Sequence, residues 1–156
     1  MRKRPNATTK GTVPGINPRR GEIWRANLDP VVGSEIEKTR PVVVINLPKV
    51  GLPTTRLCVP LTDWKSEKAL LYWCVTVTDS EASGLRKLSL ADASQIRALD
   101  VRRFEERLGH ADSLEIEAIA TALARATGYI QDQPSLSAMN APIKAPTPNP
   151  ESQTDL

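Results

Sequence analysis

The residues best suited to chemistry lie where a glycine-bearing loop runs into an apolar strand. Gly33-Ser34-Glu35-Ile36-Glu37-Lys38-Thr39-Arg40-Pro41 is followed at once by Val42-Val43-Val44-Ile45. Arg40 stands at the strand's mouth and Glu35 in the loop. Thr62 closes a later apolar segment, Leu57-Cys58-Val59-Pro60-Leu61. A carboxylate, a fixed guanidinium and a strand-end hydroxyl, if brought together, would handle an anion.

The elements that must position them follow from pattern. The unbroken β-branched run Val42 to Ile45 predicts a strand over 40–46 buried on both faces, and therefore rigid. Pro41 biases Arg40 toward extended backbone and removes a ladder donor where a sheet tolerates it. Gly33 admits a positive φ or close backbone approach. Further strands are expected at Gly21 to Leu28, Leu57 to Thr62 and Leu71 to Val77, with an extended stretch from Leu88 to Ala98. Asp112 with Glu115 resembles a capping box, and Ile116, Ile119, Ala120 and Leu123 recur at helical spacing until Gly128 stops the helix. A second short helical piece is expected within Leu99 to Leu108. Short strands with one terminal helix indicate a small β-barrel or curled sheet.

At 156 residues the chain is read as one domain plus tails. Residues 1–18 are a basic, Pro- and Gly-bearing tail and 132–156 a Pro-rich one, both expected to be disordered. The net charge of +3 misleads, because the first 20 residues hold six basic side chains and no acid. The remainder carries 15 basic and 18 acidic groups, so it is no general polyanion binder. Aromatics are only 4% of the chain, leaving the core to Val, Leu, Ile and Ala. No apolar run suits a membrane span or a secretory signal. Cys58 and Cys74 lack metal-type spacing and read as reduced core residues of a cytoplasmic protein.

Arg20-Gly21-Glu22-Ile23-Trp24, Asp29-Pro30, Gly33-Ser34-Glu35, Thr39-Arg40-Pro41-Val42-Val43-Val44 and Pro60-Leu61-Thr62 follow one another in order. Leu88-Ser89, Gln95-Ile96-Arg97 and Arg107-Leu108-Gly109 continue the series. Over about residues 19–131 this set resembles the MazF/PemK toxins of bacterial type II toxin–antitoxin systems. The resemblance implies an SH3-like small β-barrel with a C-terminal helix (the CcdB/PemK-like toxin fold), a homodimer and a cognate antitoxin. It also implies metal-independent, sequence-selective cleavage of single-stranded RNA, without a cofactor. By position, Arg40 and Thr62 match the catalytic arginine and threonine, Glu35 the loop glutamate, and Ser89 and Gln95 residues that contact RNA.

The residues support this chemistry up to a point. RNA carries its own nucleophile, the 2′-hydroxyl, and attack on the adjacent phosphorus builds charge that a guanidinium and a hydroxyl can stabilise. Gly33, Ser34, Lys38, Trp64 and Lys65 are the further candidates for contacting RNA, and Lys68 lies in the same flanking loop. No metal is needed, and no metal-ligand cluster is visible. Arginine is a poor general base, and Glu35 takes the proton only if the loop brings it close; ordering or gating the loop is its other reading. Trp64 either stacks on a base or packs at an interface; Trp24 and Trp73 read as core or dimer contacts, and His110 as a loop residue. Two alternatives remain: a CcdB-like toxin that binds a protein such as DNA gyrase, and an inactive RNA-binding or antitoxin-titrating module.

Overall fold

The computed structural model describes residues 15–130, and most of both tails lies outside them. The elements run β1 (Glu22–Asn27), β2 (Thr39–Val44), β3 (Thr55–Asp63), α1 (Ser66–Ala69), β4 (Cys74–Val77), β5 (Ser89–Asp92), β6 (Arg97–Asp100), β7 (Phe104–His110) and α2 (Ser113–Ala126). Single 3-10 turns at Ala93–Gln95 and Val101–Arg103 flank β6. Strands pair antiparallel in the order β4-β5-β3-β2-β1-β7, with β6 also on β3. The long β3 curls the sheet by changing partners: Thr55 to Cys58 pair with β6, Cys58 to Pro60 with β2, and Leu61 to Asp63 with β5. The result is the expected mainly β barrel with a C-terminal helix.

β2 is buried on both faces, and each face belongs to a different core cluster. Val43 and Ile45 pack with Ile23, Val59, Leu61, Val77 and Ile119. Val42 and Val44 pack with Trp24, Ala26, Leu28, Cys58, Leu99 and Phe104. Alternation along a strand sends neighbouring residues to opposite sides, so the continuous β-branched run fills two cores at once. Each buried valine contributes about 1.5–3 kcal/mol. Trp24 and Phe104 meet edge to face with centroids 5.9 Å apart, which assigns Trp24 to the core. Trp73 is half-buried and meets Tyr72 edge to face at 4.9 Å.

Helix α2 starts where expected. Asp112 accepts from the Leu114 amide at 2.7 Å, and Glu115 accepts from the Asp112 amide at 2.8 Å. The other Glu115 oxygen accepts from the Thr78 amide and hydroxyl, both at 2.7 Å, so one carboxylate caps the helix and ties it to the end of β4.

Two expectations are corrected and a third is refined. The short helical piece expected within 99–108 is present as the single 3-10 turn Val101–Arg103, after which the chain becomes β7. Glu106 and Arg107 are exposed side chains of that strand and pair with Arg25 (2.9 Å) and Glu22 (3.0 Å) of β1. The strand expected from Leu71 begins only at Cys74, because α1 precedes it and a turn closes from the Cys74 amide to the Leu71 carbonyl (2.9 Å). The extended stretch from Leu88 to Ala98 breaks at Ala93, where Asp92 caps a turn by accepting from the Ser94 amide. Packing also begins ahead of residue 19: Pro18 is fully buried, and Ile16 packs on the Trp24 cluster.

Candidate active site

β2 and β3 pair as Val42↔Pro60, Val43↔Val59 and Val44↔Cys58. Two residues beyond the first of these pairs, on the same face of each strand, are Arg40 and Thr62. There the strands have separated: Arg40 pairs with Ala26 of β1 and Thr62 with Leu90 of β5. Pro41 and Pro60 stand where the ladder ends, and neither has an N–H to donate. The opening is a cleft of about 490 Å³ lined by Gly33, Ser34, Glu35, Ile36, Glu37, Arg40, Thr62, Asp63, Lys65 and Lys68.

Arg40 and Thr62 both line this space and both carry hydrogen-bond donors. Arg40 is half-buried, and its Nε donates to the Glu37 carbonyl at 3.0 Å. Its terminal amino groups and the Thr62 hydroxyl have no hydrogen-bond partner among the described residues. The preceding loop supplies the backbone they need. Gly33 has φ of 61°, and a Cβ there would meet nothing within 4 Å, so the glycine serves conformation and not close approach. Lys38 also lies in the left-handed region, at φ of 70°. Its amide donates to Asp29 Oδ1 (2.9 Å) and its carbonyl accepts from Leu28 (3.1 Å), bonds that hold a conformation lysine seldom adopts.

By its lining residues alone the cleft is balanced, with Arg40, Lys65 and Lys68 against Glu35, Glu37 and Asp63. Each carboxylate, however, has a cation from outside the lining: Arg97 at 3.7 Å from Glu35, Lys38 at 3.5 Å from Glu37, and Lys87 at 2.7 Å from Asp63. The Lys87 hydrogen bond, with the fields of Arg40 and Lys65, holds the Asp63 carboxyl below its ordinary range. With those partners counted, the field over Arg40 is positive.

The other sequence candidates divide. Gly33, Ser34, Glu35 and Lys65 line the cleft with Arg40 and Thr62. Lys38 does not line it, and its ammonium faces Glu37. Trp64 is 40% exposed, with its indole N–H donating to the Thr76 hydroxyl at 3.3 Å. Ser89 is buried, and its hydroxyl donates to the Lys87 carbonyl at 3.0 Å. Gln95 belongs to a second cleft, of about 410 Å³, lined by Glu35, Ser94, Gln95, Ile96 and Arg97. Glu35 is therefore the wall between two clefts. Asp63 and Arg97 were not singled out as site residues from sequence; Asp63 was findable, being next to Thr62 on the same strand end. His110, at the end of β7, lines neither cleft, and its Nδ1 sits 2.6 Å from the Ala111 carbonyl.

Among the described residues no group of three or more His, Cys, Asp or Glu is placed to hold a metal ion, and no helix is long and apolar enough to cross a membrane. Cys58 and Cys74 are both free thiols. Cys58 lies in the core, where burial pushes it up to about 12; Cys74 is half-buried and not a core residue.

Known proteins resemble this chain in sequence and in fold. Endoribonuclease MazF9 of Mycobacterium tuberculosis (strain ATCC 25618 / H37Rv) is 33% identical over 111 residues, spanning 67% of this chain and 92% of that protein. Endoribonuclease EndoA of Bacillus subtilis (strain 168) is 30% identical over 105 residues, spanning 67% of this chain and 90% of that protein. Among solved structures, MazF from Deinococcus radiodurans superposes with a TM-score of 0.61 at 22% identity, covering 71% of this chain and 96% of that one. An endoribonuclease in complex with its cognate antitoxin, from a mycobacterial species, gives 0.56 at 20% identity, covering 74% of this chain and 100% of that one. Over residues 19–127 the sequence matches the model of the PemK-like, MazF-like toxins of type II toxin–antitoxin systems, and the chain belongs to that family.

Proposed function

We propose that this chain is a toxin endoribonuclease that cleaves single-stranded RNA sequence-selectively and without a metal. The observation that carries the reading is the convergence of unpartnered Arg40 and Thr62 donors on one positively biased cleft. The two relatives named endoribonucleases support it.

The RNA 2′-hydroxyl attacks the adjacent phosphorus. The new O2′–P bond forms as the P–O5′ bond breaks, leaving a 2′,3′-cyclic phosphate and a 5′-hydroxyl end. Arg40 donates two hydrogen bonds to the phosphoryl oxygens and Thr62 a third, at the atoms where negative charge develops. Lys65 and Lys68 hold the flanking backbone. Glu35 is engaged with the Val32 amide at 3.2 Å and with Arg97, which supports loop ordering over proton transfer as its role.

The toxin domain covers residues 19–131 and works as a homodimer in the cytoplasm, with RNA across or beside the subunit interface. Its basic N-terminal tail adds nonspecific attraction to RNA. A cognate antitoxin restrains it by placing an acidic segment over the Arg40 cleft or by displacing the 31–39 loop. RNA and antitoxin then exclude each other, and salt weakens both. The functional test is purified protein with single-stranded RNA in EDTA. Cleavage at defined sites supports the reading; intact RNA alongside inhibition of gyrase would replace it with protein binding.

A further inference from the structure

The 31–39 loop forms one wall of the cleft, and Arg97 reaches it from β6. Arg97 is 20% exposed, and both its terminal nitrogens are directed at protein acceptors. Nη1 donates to the Leu28 carbonyl at 3.2 Å, at the foot of the loop, and Nη2 lies 3.7 Å from Glu35 Oε2 in its middle. Glu35 Oε2 also accepts from the Val32 amide, closing a turn whose other bond runs from the Glu35 amide to the Val32 carbonyl (3.3 Å). One residue on, the Ile36 amide donates to Gln95 Oε1 at 3.2 Å. The loop then reaches Glu37, whose carbonyl holds Arg40 Nε.

We propose that Arg97 is a positioning residue for RNA cleavage. By holding the Leu28 carbonyl and the Glu35 carboxylate together, it fixes the loop so that the Glu37 carbonyl aims Arg40 at the scissile phosphate. This rests on the cleft being the RNA-cleaving site. One N–H bonded to a carbonyl while the same guanidinium pairs with a carboxylate makes a bridge that the point charge of lysine cannot fully reproduce. With one terminal nitrogen on the Leu28 carbonyl and the other paired with Glu35, the guanidinium is directed at the loop. Small displacements of a reacting group cost large factors in rate, so the effect falls on turnover.

The test uses Arg97→Ala, Arg97→Lys, Glu35→Gln and the Arg97→Ala/Glu35→Gln double variant, each first shown to be folded. Amide hydrogen exchange at Val32 and Ile36 is measured beside kcat and KM on a single-stranded RNA oligonucleotide. In Arg97→Ala, exchange at both amides is expected to rise about fivefold. Turnover should fall about tenfold, by a factor constant across pH, with KM nearly unchanged. Arg97→Lys should recover part of each loss, and the double variant should be no worse than Arg97→Ala. A raised KM with normal kcat would make Arg97 an RNA contact and overturn the proposal. So would tighter RNA binding by Glu35→Gln, additive losses in the double variant, or unchanged exchange in Arg97→Ala. Failure of the wild type to cleave RNA would refute the cleavage reading, whereas the exchange data test the tether regardless.

Discussion

The Glu37 carbonyl engages Arg40, a residue lining the cleft, through Nε at 3.0 Å and leaves both terminal amino groups without a hydrogen-bond partner among the described residues. The guanidinium is thus oriented by its own loop while its two-pronged end stays available. Arg40→Ala removes the guanidinium proposed to meet the developing charge and should lower kcat by about 10²–10³-fold, equivalent to roughly 3–4 kcal/mol. Arg40→Lys keeps the charge but loses the fork and should recover little. Single-turnover cleavage assays on folded variants, checked by circular dichroism, measure this; near-normal turnover of Arg40→Ala would remove Arg40 from the mechanism.

Thr62 offers a hydroxyl at the end of β3, and its methyl group is not what the cleft needs. Thr62→Val preserves shape and removes the donor, so kcat should drop about 10²-fold, while Thr62→Ser stays within about tenfold of the wild type. Equal activity of the valine and serine variants would show that the hydroxyl is idle.

Glu22 gives the fold a pH dependence. Burial pushes its carboxyl up, but the Arg19 amide, the Trp24 indole N–H (2.9 Å) and Arg107 together hold it below the ordinary 4.5. A folded-state pKa below the unfolded one adds stability that is present above the unfolded value and is lost as pH falls through the folded value. Urea unfolding of Glu22→Gln at pH 7 should therefore show a deficit of about 1–2 kcal/mol that shrinks steadily below pH 4.5. A deficit independent of pH would assign the loss to packing.

Asp112 is remote from the cleft and tests the helix alone. Asp112→Ala removes the acceptor of the Leu114 amide and half of the capping box, and should cost about 1 kcal/mol in urea unfolding. The rate of RNA cleavage should stay at the wild-type level.

Much of this was legible because local chemistry and tertiary structure agree. The β-branched run at Val42 to Ile45 and the Asp112/Glu115 cap each carry their own structural cause, so β2 and α2 fall where expected. Residues 104–110 carry no clear strand pattern of their own; only the register against β1, a long-range fact, makes them a strand. Arg40 and Thr62 were visible as candidates, but their meeting depends on where the β2–β3 ladder ends. Pro41 and Pro60 mark that point only once the register is known. Arg97 could not be assigned from sequence, since its partners Leu28 and Glu35 are 69 and 62 positions away.

That RNA supplies the nucleophile and the cleft only charge stabilisation is the step on which the proposed mechanism depends. It is tested most directly with an oligonucleotide carrying a single 2′-deoxy substitution at a mapped cleavage site, incubated with the wild-type protein in EDTA. This site should survive while the all-ribose strand is cut to a 2′,3′-cyclic phosphate and a 5′-hydroxyl end. Cleavage of the deoxy site at the same rate would mean that another nucleophile attacks, and would contradict the mechanism.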